Sequence, residues 1–267
     1  MEKNKTSENR INGACGCAKG KVRENNEDNF YFAGEYLESE NDGMKNAIKR
    51  SLKNDPEKIP GVFAAVFDGM GGAQYGEIAA YEAAVCTDAF LTHVKESGSC
   101  DGTPMLRNLC DYINKEVFKA GEEKGIQKMG TTMAALYFHG SNVWSCNVGD
   151  SRCYRLRDGV LELLSEDHVE EMYSIDRINN KKKPGLVQYM GMDPSEIRLE
   201  PTINCRNLKN GDSYLICSDG LTDMVAESDI ANIIRETDDA GDTANCLIDL
   251  ALMNGGKDNV TVIVCKC

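Results

Sequence analysis

The chain has 267 residues, 41% of them hydrophobic, enough to build the core of one large domain and too many for wholesale disorder. Its formal charge of −13 argues against nucleic acid or an anionic membrane as the main partner, because both need a basic footprint. No apolar run approaches the roughly 20 residues that span a bilayer, and the polar opening MEKNKTSENR lacks the apolar stretch of a signal peptide, so a cytoplasmic protein is expected.

Taken in chain order, β-branched and aromatic runs bordered by Gly, Asn and Asp predict strands at 11–18, 29–37 and 61–67. The polar, charged stretch 38–60 between them reads as a surface insertion. Apolar residues at helical spacing predict a helix over 74–96, through Ile78, Tyr81, Ala84, Val85, Ala89 and Val94. Leu106, Leu109, Ile113, Val117 and Phe118 predict a second over 105–123. Strands follow at 131–139, 142–147, 152–157 and 161–164. Tight turns at His139-Gly140-Ser141 and Arg157-Asp158-Gly159 make this stretch a meander of antiparallel hairpins. An irregular segment at 176–194 carries the run Lys181-Lys182-Lys183, which reads as a solvated charge run. The chain closes with a strand at 213–218, helices at 228–236 and 243–253, and a strand at 260–266. Helices that enter as pairs between runs of strands predict an α+β layered sandwich in a single domain over 1–267.

Twelve cysteines remain to be placed. Cys15, Cys17, Cys146, Cys153, Cys217, Cys265 and Cys267 sit in strand-like runs, with no CxxC pair and no histidine at zinc spacing. They read as reduced, buried or half-buried thiols acting as small hydrophobes.

Five acidic residues stand where strands give way to turns: Glu27, Asp28, Asp68, Asp219 and Asp258. Aspartate is poor for strand formation but well placed there for a site. Their recurrence predicts carboxylates converging on the rim of one sheet. Such a cluster needs a cation, and all-oxygen ligands select hard ions such as Mg²⁺ or Mn²⁺. In VFDGMGG the glycines let the backbone approach a ligand closely. Asp68 can bridge two ions there, and the Gly69 carbonyl can supply another oxygen. Arg23, five residues before Asp28, carries the guanidinium fork suited to a phosphate.

In order, the chain carries VRENNED, VFDGMGG, MGTTMAAL, NVGDSR, LSEDH, CSDGLTD and GGKDNVT. This series resembles the PPM family of metal-dependent protein phosphatases, also called PP2C, in its compact bacterial form, over roughly residues 10–267. The resemblance implies a four-layer α-β-β-α sandwich, with two central antiparallel sheets flanked by helix pairs. It implies two Mn²⁺ or Mg²⁺ ions bridged by Asp68, with the Gly69 carbonyl, Asp219 and Asp258 as further ligands. Glu27 and Asp28 resemble the acidic pair that holds the second ion directly or through its waters. Arg23 resembles the phosphate-binding arginine, so Arg23 and Asp68 are the expected catalytic residues. The implied reaction is hydrolysis of phosphoserine and phosphothreonine in proteins by a water activated between the two metals. A cognate Ser/Thr kinase and its substrates are the implied partners, and the chain is expected to be a monomer.

Departures from the family pattern set further expectations. Met70 stands where some relatives carry a histidine. His93 and His139 read as structural, and His168, within LSEDH, is given no catalytic role. Many bacterial relatives carry an Asp before the GTT strand for a third ion; here residues 124–128 hold no acid, with Glu122 and Glu123 nearest. The family's flap falls at 167–194 and is short and unusual. The alternative reading is a catalytically weak phosphoprotein-binding or regulatory module. Loss of a core Asp would favour it, and none is lost.

Overall fold

The computed structural model describes residues 10–44, 46–70, 75–98, 101–126, 128–171 and 183–267. Its strands are β1 (Arg10–Ala18), β2 (Asp28–Phe32), β3 (Ile48–Lys53), β4 (Val62–Met70), β5 (Gly130–Thr131), β6 (Met133–His139), β7 (Asn142–Val148), β8 (Arg152–Arg157), β9 (Val160–Leu163), β10 (Thr202–Asn207), β11 (Ser213–Cys217) and β12 (Val260–Lys266). The helices are α1 (Gly76–Ser97), α2 (Gly102–Lys124), α3 (Asp219–Thr222), α4 (Glu227–Glu236) and α5 (Ala240–Met253). One sheet runs β3-β1-β12-β11-β8-β9 and the other β10-β7-β6-β4-β2, with β5 paired to the end of β4. Every pairing of named strands is antiparallel. The α+β four-layer sandwich implied by the motifs is the fold observed.

Side-chain alternation explains the layering. In β4, Phe63, Ala65 and Phe67 pack with Leu106, Leu109 and Ile113 of α2. Ala64 and Val66 point the other way, into the space between the sheets with Phe30, Phe138, Ile216 and Ile263. In β12, Val262 and Val264 join Ile230, Leu247 and Ile248 beneath α4 and α5, while Ile263 and Cys265 face the inter-sheet layer. The central strands are therefore covered on both faces, which is why they read as continuous apolar runs. α1 lies against the second sheet through fully buried Ala79, Ala80, Ala83 and Ala84, small residues that permit close approach.

The differences from the sequence reading fall at edges. The strand expected over 29–37 stops at Phe32, because Ala33 and Gly34 both take positive φ and turn the chain back on itself. Phe32 and Glu35 exchange both backbone hydrogen bonds across that turn. The stretch read as a surface insertion contains β3, which pairs with β1 from Arg10↔Lys53 to Cys15↔Ile48. β10 was missed in the same way. Both are edge strands without a buried residue, so solvent removes the apolar signal that a covered face would give. Of the expected flap, 172–182 lie outside the described residues. The flanking parts are held by bridges Val169↔Leu186 and Thr131↔Met190. The described cysteines are free, and most are buried. Among the described residues, no helix is long and apolar enough to cross a membrane.

Candidate active site

The site forms where the two sheets meet at one rim. Asp28 opens β2 and stands directly opposite Asp68 of β4 in the strand register. From the other sheet, Asp219 follows β11 at the start of α3, and Asp258 precedes β12. The expected convergence on the rim of one sheet is thus corrected: each sheet contributes, and the carboxylates meet across the gap between them. The ends are stitched together by Asp28. Its Oδ2 accepts hydrogen bonds from Ser218 Oγ, just past β11, and Thr261 Oγ1, in β12 of the opposite sheet, both at 2.7 Å.

Asp68 is fixed through its backbone by the GTT motif. Its N–H donates to Thr132 Oγ1 at 3.1 Å, and its carbonyl accepts from Thr131 Oγ1 and from the Thr132 N–H, both at 2.9 Å. Thr132 Oγ1 also meets Ser151 Oγ, of the GDSR motif, at 2.7 Å. Gly69 tolerates no side chain: a Cβ there would lie 2.1 Å from the Gly76 carbonyl oxygen and 2.5 Å from that of Glu27. This close approach ties the N-terminus of α1 to the loop before β2.

Arg23 and Glu27 lie in that loop, between β1 and β2. Asn259 holds the loop in place. Its Oδ1 accepts from the Glu27 N–H at 2.8 Å, and its Nδ2 donates to the carbonyls of Lys19 and Asn25 at 2.8 and 2.9 Å. The Arg23 guanidinium then spans two carboxylates, with Nη2 2.6 Å from Asp258 Oδ2 and Nη1 3.7 Å from Glu27 Oε2.

Arg23, Glu27, Asp68, Gly69, Asp219 and Asp258 all line one cleft of about 470 Å³. Asp28 is not on its wall but stands behind it, 2% exposed. Sequence reasoning assigned no role to three other wall residues, Thr132, Asp150 and Lys183. Asp150 and Thr132 lie within quoted motifs, GDSR and GTT, so a signal existed. Lys183 looked like one of three equivalent lysines. His168, given no catalytic role from the sequence, has a structural part. Its N–H donates to the Gly149 carbonyl at 3.0 Å, its Nδ1 accepts from the Gly149 N–H at 3.3 Å, and its Nε2 meets Thr202 Oγ1 at 3.0 Å.

The electrostatics are those of crowded buried acids. Burial pushes the Asp28 carboxyl up to about 7, against the lowering effect of the Ser218 and Thr261 hydroxyls; Asp258 and Glu27 raise it further. Burial, then Asp28, Asp150 and Asp258, push Asp68 well up, and Lys183 opposes them. Burial also raises Glu27 and Asp150, with Arg23 and Lys183 respectively pulling them down. Among the described residues, no three Asp, Glu, His or Cys side chains are gathered as the ligand set of a single ion. Two side-chain cations, Arg23 and Lys183, stand between the carboxylates instead. The donor chemistry nevertheless fits hard divalent ions: it is oxygen only, and it carries more negative charge than the two cations balance. The nearby Cys17 thiol is pushed up to about 12 by burial, so it stays neutral and adds no soft ligand.

Comparison with known proteins bears on the fold and the family. Residues 55–247 match the family model described as "Protein phosphatase 2C". The chain is 31% identical over 256 residues to the serine/threonine phosphatase stp of Listeria monocytogenes, covering 92% of each. It is also 31% identical over 256 residues to the serine/threonine protein phosphatase PstP of Mycobacterium tuberculosis, covering 92% of this chain but 43% of that protein. The crystal structure of M. tuberculosis PstP/Ppp aligns with a TM-score of 0.76 at 27% identity, over 97% of this chain and 99% of that one. A PstP catalytic domain solved in complex with two manganese ions aligns with a TM-score of 0.71 at 29% identity, over 96% of this chain and 98% of that one.

Proposed function

The chain belongs to the protein phosphatase 2C family, and from that premise we propose how its own residues act as a metal-dependent serine/threonine phosphatase on phosphorylated proteins. The observation that carries the proposal is the meeting of Glu27, Asp68, Asp219 and Asp258 in one cleft beside Arg23. Asp68, the Gly69 carbonyl, Asp219, Asp258 and Glu27 are the oxygens that would hold two Mn²⁺ or Mg²⁺ ions. When bound, the ions supply a water nucleophile of lowered pKa and positive charge opposite the phosphoryl oxygens.

The protein's part is binding and orientation. Arg23 sits at the cleft mouth with its side chain 46% exposed, so the guanidinium can reach a phosphoryl group while its inner edge stays on Asp258 and Glu27. Two hydroxyls already occupy Asp28 Oδ2, so Asp28 acts from behind the wall, as a member of the acidic pair that works through water. Thr131, Thr132 and Ser151 fix the Asp68 backbone, and Asn259 fixes the loop that carries Arg23 and Glu27. Met70 lines the cleft without a titratable proton. None of the expected carboxylates is missing, and the relatives are named as phosphatases, so the reading as a catalytically weak binding module has no support.

Finer features belong to the same proposal. The substrates are proteins phosphorylated by a cognate Ser/Thr kinase, and the chain acts as a cytoplasmic, single-domain monomer. The central test is phosphate release from a phosphothreonine peptide with Mn²⁺, with Mg²⁺ and with EDTA. Turnover should depend on metal, and Asp219→Asn or Asp68→Asn should lose it with the fold intact, because each change removes charge from the site and not from the core. Near-normal turnover in either variant would sink the ligand assignment.

A further inference from the structure

Lys183 reads from the sequence as one of a solvated charge run, and the structure folds its partly exposed side chain onto acids of the cleft. Its Nζ lies 3.6 Å from Asp150 Oδ2 and 3.2 Å from Asp223 Oδ2, and it is in closer contact still with Asp219 Oδ2. These carboxylates come from two parts of the fold: Asp150 from the turn after β7, and Asp219 and Asp223 from the two ends of α3. The ammonium donates hydrogen bonds to Asp219 and Asp223 and pairs with Asp150 through charge. The placement is anchored in the backbone. The Val187 N–H donates to the His168 carbonyl and the Glu170 N–H to the Gly185 carbonyl, both at 2.9 Å. His168 is in turn bonded to Gly149, the neighbour of Asp150. Hydrogen bonds therefore link the chain beside Lys183 to one of the acids it meets.

Two of the three carboxylates are more enclosed than the amine, while Asp223 is as exposed as the amine. The Asp150 and Asp219 side chains are 11% and 16% exposed, whereas that of Lys183 is 45% exposed. The flexible stem can swing into water, while Asp150 and Asp219 stay in the cleft. Asp219 is one of the oxygens assigned above to an ion, and an ammonium on that carboxylate repels a divalent cation arriving at the same place.

We infer that Lys183 is a tethered cation that competes with a metal ion for Asp219, so that loading the centre requires its withdrawal. This rests on the metal assignment proposed above. Without metal, the ammonium keeps Asp150, Asp219 and Asp223 from repelling one another, so the acids stay gathered. The apparent metal affinity is lowered by the fraction of molecules in which Lys183 holds the site. A paired state favoured about tenfold lowers it about tenfold.

The test is a calorimetric Mn²⁺ titration of wild type, Lys183→Met and Lys183→Arg, with the melting temperature of each followed in EDTA and in Mn²⁺. Lys183→Met should bind Mn²⁺ about tenfold more tightly than wild type and melt lower in EDTA, so its Mn²⁺-induced rise in melting temperature is larger. Lys183→Arg keeps a cation and should stay near wild type. A merely structural lysine would instead weaken stability and Mn²⁺ binding together. Unchanged or weaker Mn²⁺ binding in Lys183→Met overturns the inference alone. So does a raised KM for phosphopeptide with Mn²⁺ binding unchanged, which would assign the amine to substrate. A wild type that binds no Mn²⁺ overturns the metal assignment and this inference with it.

Discussion

Single hydroxyls and amides decide whether the acids of this site can work. Asp28 is a buried carboxylate whose ionised form depends on Ser218 and Thr261. Thr261→Val keeps the shape and removes one donor. Groups that orient metal-site carboxylates typically contribute about 10–100-fold to metal affinity or activity. Thr261→Val should therefore weaken Mn²⁺ binding by about that factor, measured by calorimetry, with little change in KM at saturating metal. Arg23→Ala should act on substrate instead: raise KM for a phosphothreonine peptide and affect kcat less. An unchanged KM would remove Arg23 from the phosphate. The strand-end aspartates Asp68, Asp219 and Asp258 were legible in the sequence because Asp is unusual in such a setting. Lys183 was not, because nothing local separates a lysine that folds back onto acids from a solvated one; Asn259 lies in the quoted GGKDNVT, but its clamp on a remote loop depends on the fold.

At the scale of elements, legibility followed burial. β4, β6, β11 and β12 are covered on both faces and announced themselves as apolar runs, and α1 and α2 by their spacing. β3 and β10 are edges, exposed along much of their length, and sequence pattern alone missed them. The motifs fixed the order of strands and the acids at their ends, but not which strands share a sheet; that depends on long-range pairing such as β1 with β12. The helix layer carries much of the core. Leu109 of α2 is fully buried against the second sheet. Leu109→Ala should cost about 2–5 kcal/mol, through lost transfer energy and the cavity left behind. Urea unfolding in EDTA would measure it, and a cost below about 1 kcal/mol would mean that the layer collapses to fill the gap.

For the whole molecule, metal and stability are linked through the buried acids. Unfolded aspartate titrates near 3.9, roughly, whereas Asp28 in the fold is pushed up to about 7 and Asp68 is raised too. Between about pH 4 and 7 the folded protein therefore binds more protons than the unfolded chain, and these two groups make stability fall as pH rises through that window. In EDTA the melting temperature should be higher near pH 5 than near pH 8, and Mn²⁺ should raise it most at the alkaline end, where the acids are ionised. A metal-free melting temperature that climbs across the window would contradict this. The stitch from Asp28 to Ser218 and Thr261 has a mechanical meaning as well. Because the acids are divided between the two sheets, the spacing of the sheets sets the span of the site, much as the hinge of a pair of calipers sets the gap at its tips. A side chain wedged between the sheets, such as Phe138, is part of that hinge. Trimming it should change how the distant rim grips an ion, although Phe138 itself never touches the cleft.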